Sequence, residues 1–222
     1  MSYPRSPRHA GTTGQHRVLP GDARPPHRHQ PRKPLPEPPG GLAVAVVVVA
    51  CCLLFVELVE LAILFVAASR GEAGGAFGAG GFDPNGVALT GLFLVAAYLV
   101  VCSWLQAGRK FAEAANPAAT FAHGAVWTWL GWWVPVVFLW FPHDVVRDLR
   151  NAVVPDGDRR AHLGWWWVLW LLAGVRIYTP ASGDVQVITR SVAAIALVFA
   201  FVQWVRIVRE ITRAQEKLSG LG

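Results

Sequence analysis

Charge is scarce in this chain, and long stretches have none. Only 15% of the 222 residues are Asp, Glu, Lys or Arg, whereas 54% are hydrophobic. Uncharged apolar runs of about 18 residues or more are the usual mark of helices that cross a membrane. The composition therefore argues against an ordinary soluble domain and predicts an all-α, helical integral membrane protein.

Cysteine is also scarce, and the familiar catalytic patterns are missing. Cys51, Cys52 and Cys102 form no CxxC pair, so no disulfide framework is implied. The chain has no H-E-x-x-H and no G-x-S-x-G motif. The spacing of its histidines fits no known metal pattern. We therefore predict no catalytic residue, no metal site and no cofactor.

The apolar runs themselves predict four transmembrane helices inside a helical domain of residues 42–218. These spans cover about residues 42–68, 87–107, 161–179 and 188–208. Residues 1–41 contain ten prolines and seven Lys or Arg residues. Such a segment cannot bury enough surface to offset its chain entropy, so it is predicted to be a disordered cytoplasmic tail.

This tail offers a possible contact for a protein partner. Residues 33–39, KPLPEPP, fit a polyproline ligand of the K-x-x-P-x-x-P type. The neighbouring cluster from Arg24 to Lys33 could instead touch anionic lipid headgroups of the bilayer. No aromatic residue lies among the charges of the tail to stack on bases, so nucleic acid is not an expected partner.

A segment rich in tryptophan and proline, residues 126–141, decides the topology. It is predicted either to enter and leave on the same side, turning near Pro135, or to cross as a kinked fifth span. Lys and Arg prefer the cytoplasmic side of membrane proteins. With both termini cytoplasmic, the four-span arrangement puts 17 of the 20 positive residues on that side, whereas five spans misplace nine. The charges therefore favour the re-entrant segment.

A short helix lying in the membrane interface is predicted next, at about residues 142–151. Val145, Val146 and Leu149 would share its apolar face, and the charged residues Asp144, Arg147, Asp148 and Arg150 would share the other.

Ionisable residues within the predicted spans are the candidate functional groups. Glu57 and Glu60 share one face of the first span. Arg176 lies at a matching depth in the predicted span 161–179. Buried carboxylates in lipid are costly unless they are paired, protonated or hydrated. Two interpretations stay open: a structural Glu–Arg pair that locks two helices, and a proton or cation relay.

The tryptophans and prolines also carry a family resemblance. The runs WWVP (residues 132–135), LWFP (139–142), VVRDL (145–149) and WWVLW (166–170) resemble the bacterial membrane family called domain of unknown function 4328. The resemblance covers roughly residues 85–215, and its motif falls on Trp132, Pro135, Pro142, Trp166 and Trp167. It implies a multi-span membrane protein and carries no activity over to this chain.

These observations together predict a non-catalytic structural or partner-binding module of the bacterial plasma membrane. The bacterial origin is inferred from the excess of arginine over lysine beside abundant Ala, Gly, Pro and Val. The alternative function is a small transporter or channel component that uses Glu57, Glu60 and Arg176. The oligomeric state does not follow from the sequence.

Overall fold

A computed structural model describes residues 34–71, 84–174 and 184–220, and within these ranges the chain is helical and has no strand. The all-α class is therefore confirmed. The α-helices are α1 (Gly40–Ser69), α2 (Pro84–Ala115), α3 (Trp127–Leu130), α4 (Phe141–Val153), α5 (Leu163–Gly174) and α6 (Asp184–Ser219). Two short 3-10 helices, Val137–Leu139 and Asp156–Asp158, complete the described elements.

Three of these helices, α1, α2 and α6, are long and apolar enough to cross a membrane. A span needs about 20 residues, and these helices have 30, 32 and 36. Helix α5 is apolar but has only 12 residues. The last part of the predicted span 161–179, which includes Arg176, lies outside the described ranges. Most of the predicted tail lies outside them as well. A fourth span therefore stays a prediction.

Two contacts show which ends of the long helices lie next to each other. At one end, the side-chain amide of Gln215 on α6 donates to the carbonyl of Gly108 on α2, at 3.4 Å. A Cβ atom at Gly40, where α1 begins, would lie 3.9 Å from the carboxylate of Glu216. Helices α2 and α6 therefore finish where α1 starts, and we call this the charged end. The opposite end of α1 and α6 is called the far end.

The best-packed part of the core lies toward the charged end. Its largest fully buried side chains are Trp104, Phe111, Leu105, Leu149, Ile207 and Ile211. The indole rings of Trp104 and Trp204 meet edge to face, with centroids 5.9 Å apart. Toward the far end, many apolar side chains stay on the surface, including Phe65, Val66, Ile188 and Ile195. Surfaces of this kind are stable when lipid surrounds them.

Helix α4 closes the charged end by packing across α2. Val146 and Leu149 are buried against it, as the predicted apolar face requires. The two helices approach closely because α2 has a glycine there: a Cβ atom at Gly108 would lie 3.0 Å from Leu149 Cδ2. Pro142 in the first turn suits the start of α4, because its missing N–H has no partner to lose.

Candidate functional site

Residues 123–141, which we call the Trp/Pro loop, first run along α2. Four hydrogen bonds join donors on α2 to carbonyl oxygens of the loop. Arg109 Nη1 donates to His123 at 2.6 Å, Gln106 Nε2 to Ala125 at 2.9 Å, Cys102 Sγ to Thr128 at 3.2 Å and Tyr98 Oη to Trp129 at 3.0 Å. As the loop advances, its contacts move back along α2 by 11 residues, or about 16 Å.

The four donors form one polar stripe on a mostly apolar helix. Their spacings of four, four and three residues put Tyr98, Cys102, Gln106 and Arg109 on the same face of α2. Irregular backbone at membrane depth needs partners for its carbonyl groups, because lipid supplies none. The stripe supplies such partners to four carbonyl groups in the first half of the loop.

The second half of the loop returns along α5. The ring of Phe138 lies 6.2 Å from that of Trp170, and Trp167 Nε1 donates to the carbonyl of Leu139 at 2.6 Å. His143 then approaches Trp167, with ring centroids 6.3 Å apart. The contacts thus move toward the start of α5, at the charged end.

The two ends of the loop meet. The ring of Phe141 stacks on that of His123 with centroids 3.9 Å apart, and Asp144 Oδ2 lies 3.7 Å from His123 Nε2. Asp144 also pairs with Arg147 at 2.9 Å. Within this chain, therefore, the loop begins and ends at the charged end of the helices.

The loop reverses at Pro135–Val137 through a tight turn. The amide of Val137 donates to the carbonyl of Pro135 at 2.8 Å, two residues back, and Val136 has φ 70° and ψ −54°. These angles describe the rare γ-turn with positive φ. A β-branched residue in this region is strained, typically by about 1–3 kcal/mol.

The residues of the predicted family motif surround this loop. Trp132 meets Trp170 edge to face at 5.8 Å, and Trp166 stacks on Trp204 at 5.0 Å. Trp167 holds the returning half, Pro135 precedes the turn, and Pro142 is fully buried at the start of α4. The tryptophans and prolines that suggest the family are thus the ones that shape the loop.

A single carboxylate, that of Glu210 on α6, ties α4 to the start of α5. Arg150 approaches its Oε2 atom through Nε at 3.0 Å and Nη2 at 2.8 Å. Its Oε1 atom accepts the backbone N–H groups of Arg160 at 2.5 Å and Ala161 at 2.7 Å. Arg150 is only 7% exposed. It therefore differs from the prediction that put it on the polar outer face of α4, because Glu210 gives it a buried partner.

The intramembrane carboxylates lie apart from the loop, toward the far end. Glu57 is buried on α1, with 7% of its surface exposed. Glu60 pairs with Arg190 on α6, whose Nη1 atom lies 3.3 Å from Glu60 Oε2. Arg176 lies outside the described residues, so its predicted pairing with Glu57 or Glu60 stays a prediction. Arg190 is an additional partner that the sequence interpretation did not assign to Glu60.

No metal site or disulfide emerges from the part of the chain that the structure describes. In residues 34–71, 84–174 and 184–220, no three His, Cys, Asp or Glu side chains are grouped so that they could hold a metal ion. Cys51, Cys52 and Cys102 are free thiols. The predicted absence of a cofactor stays a prediction.

The fold defines a class of all-helical protein with helices of membrane-spanning length and a loop of tryptophans and prolines folded back between them. Residues 81–189 match the family model described as Domain of unknown function (DUF4328). The predicted resemblance is thereby confirmed. No curated protein and no solved structure matches the chain.

Proposed function

We propose that this protein is a non-catalytic module of the plasma membrane that spans the bilayer four times and binds a partner protein at its cytoplasmic, charged end. The Trp/Pro loop enters the bilayer from the cytoplasm and returns to it. Both termini are cytoplasmic.

The observation that carries this topology is the meeting of His123 with Phe141 and Asp144 at the two ends of the loop. A fifth span would separate these residues by the thickness of the hydrocarbon layer, about 30 Å. The same arrangement keeps 17 of the 20 positive residues on the cytoplasmic side.

Reporter fusions at Gly157 and after Gly222 test the topology. Both are expected to report the cytoplasm. A fusion after Gly71 serves as the matched control, because it follows the first span and is expected to report the opposite side. An external signal at Gly157 would contradict the four-span arrangement and restore the fifth span.

Partner binding is supported by a basic stripe on the last part of α6. Arg206, Arg209, Arg213 and Lys217 are exposed and recur at helical spacing. Counted from Val208, where the predicted span ends, Arg213 and Lys217 lie about 8 and 14 Å further along the helix. The headgroup region is only about 5–8 Å thick on each side of the hydrocarbon, so Arg213 lies at its outer edge and Lys217 beyond it. Lys217 lies 3.8 Å from Asp158, and the positive charge that remains on the stripe fits an acidic protein surface.

Photo-crosslinking from position 218, an exposed leucine next to the stripe, in native membranes tests this step. We expect a protein adduct that disappears when Arg213 and Lys217 are both changed to Glu. The matched control changes Arg70, an exposed arginine at the far end of α1, to Glu and is expected to leave the adduct intact. Adducts to lipid alone would show that the stripe serves the membrane surface instead.

A small transporter or channel component is the second candidate, favoured by the buried carboxylate of Glu57. Glu60 and Arg190 would then belong to the same pathway. Proton or cation flux in liposomes tests this candidate, with Glu57→Gln expected to abolish the flux. Liposomes that show no flux above protein-free controls would exclude it.

A further inference from the structure

A cavity of about 350 Å³ lies between α1, α2, the Trp/Pro loop, α5 and α6. This volume is more than twice the roughly 150 Å³ of an engineered apolar cavity that binds benzene. It also falls within the range of about 300–1,000 Å³ that is common for small-molecule sites. The cavity is thus large enough to hold part of a ligand.

The walls of the cavity are almost wholly apolar. Val46 and Leu54 of α1 and Phe201 of α6 contribute aliphatic and aromatic surface, and Trp132 and Trp170 close it on the side of the loop. Besides indole N–H groups, the polar side-chain group of the lining is the hydroxyl of Tyr98, which already donates to the carbonyl of Trp129 at 3.0 Å. An ordered water needs two to four polar partners, so these walls favour a hydrocarbon occupant over water.

The cavity opens sideways, toward the surface that the proposed topology puts in lipid. Leu94, Val95 and Trp133 line it and are at the same time more than half exposed. On α2, the lining residues 94–101 lie about 12–22 Å from Arg109, the first charge at the cytoplasmic end. The opening therefore faces the hydrocarbon region, where acyl chains are the abundant molecules of matching chemistry.

Undescribed parts of this chain do not have the composition to fill such a site. Residues 1–33 are rich in proline, arginine and histidine, and residues 72–83 are dominated by glycine and alanine with two phenylalanines. Residues 175–183, VRIYTPASG, contain an arginine and a proline among few apolar residues. None of these segments supplies a run of large apolar side chains, which favours an occupant from outside the chain.

We propose that the cavity holds one acyl chain of a bilayer phospholipid, which enters between α2 and the Trp/Pro loop and lies against the tryptophans. This inference depends on the membrane insertion in the proposed function and goes beyond its partner-binding role. The acyl chain would complete the packing between α2 and α5, which the protein's own side chains leave open.

Native mass spectrometry of the full chain, extracted from native membranes in a mild detergent, tests the proposal. The wild type is expected to retain one phospholipid per chain, identified by extraction. Ala97 lines the cavity, and Ala97→Phe should lower this occupancy at least five-fold. Ala62 is exposed on α1 away from the cavity, so Ala62→Phe adds the same volume and should retain the lipid.

Three outcomes would overturn the proposal: equal retention in the two variants, no retained lipid in the wild type, or a retained isoprenoid or free fatty acid. If Ala97→Phe loses its helical circular dichroism, Ala50→Phe on the α1 wall of the cavity replaces it. Washing the membranes at alkaline pH distinguishes a failure of membrane insertion from a failure of the acyl-chain site. A chain released by the wash would refute membrane insertion itself, whereas an embedded chain without lipid would refute only the acyl-chain site.

Discussion

The charged end and the far end of this molecule are stabilised in different ways. At the charged end, α4 and the loop cover the long helices, and Glu210 satisfies a buried arginine and two backbone amides. At the far end, α1 and α6 share the ion pair of Glu60 with Arg190, and large apolar side chains stay exposed. The charged end is thus stabilised by its own packing, whereas in the proposed topology lipid covers the apolar side chains of the far end.

Removing the carboxylate of Glu210 should give the largest loss of stability at the charged end. Glu210→Leu leaves Arg150 buried without its partner and two amides without an acceptor, and breaking a buried pair typically costs about 3–5 kcal/mol. We expect a large fall in the melting temperature in detergent. Adding Arg150→Leu should recover part of the loss. Glu113→Leu is the control, because Glu113 is half exposed and its partner Arg109 keeps the carbonyl of His123 as an acceptor. Exposed pairs contribute about 1 kcal/mol or less.

A substitution that prevents the close approach of α2 and α4 should cause the next largest loss of stability. Gly108→Ala would put a Cβ atom 3.0 Å from Leu149, which is fully buried and has little room to move. Overpacking of this kind costs about 1–3 kcal/mol. Gly91→Ala in the same helix meets nothing within 4 Å and should not destabilise the protein. Equal melting temperatures for the two variants would show that α4 is not held against α2.

The far end should respond more weakly. Arg190→Leu removes the partner of Glu60, but measured couplings inside membrane proteins average only about 0.6 kcal/mol, because the unfolded state also finds partners. We expect a small loss of stability that Glu60→Leu restores in the double variant. Additive losses would show that Arg190 does not stabilise Glu60. The same cycle with Arg176 and Glu57 tests the pairing predicted from the sequence.

Relieving the strain at the turn of the loop should have a small effect of the opposite sign. Val136→Gly permits φ 70° without a Cβ clash and gives up only a side chain that is 62% exposed. We expect a gain of about 1 kcal/mol or less in the free energy of unfolding. Val134→Gly, two residues earlier and without positive φ, should destabilise the protein slightly. A loss at Val136 equal to that at Val134 would contradict the strained turn.

The sequence predicts the long helices well, because uncharged runs of spanning length have few alternative structures. It also locates the Trp/Pro loop and α4, since prolines and a change in charge mark their ends. It assigns Arg176 to the carboxylates and does not identify Arg190 as a partner of Glu60, because counting residues gives depth along a helix and not the direction a side chain faces. The polar stripe at Tyr98, Cys102, Gln106 and Arg109 is visible at helical spacing, but only the fold shows that loop carbonyls occupy it.

Glu210 and Val136 show two further limits. Glu210 lies among the arginines of α6, and charged residues at this spacing indicate a solvated face. The backbone amides that it binds are 49 and 50 residues away in the sequence, so no local pattern predicts the contact. Val136 is strained by the path of the loop, and a β-branched residue gives no local indication of positive φ.

The polar stripe of α2 has a consequence for how the chain is made. Its donors precede the carbonyls they bind by 14 to 31 residues, so a ribosome working from the N-terminus completes the stripe before the loop emerges. The nascent loop therefore meets its hydrogen-bond partners before α5 and α6 are made. In the proposed topology, its carbonyl groups then never lie in the hydrocarbon without a partner. A circular permutant that places the loop ahead of α2 reverses this order, and its newly made chains should be captured by quality-control proteases.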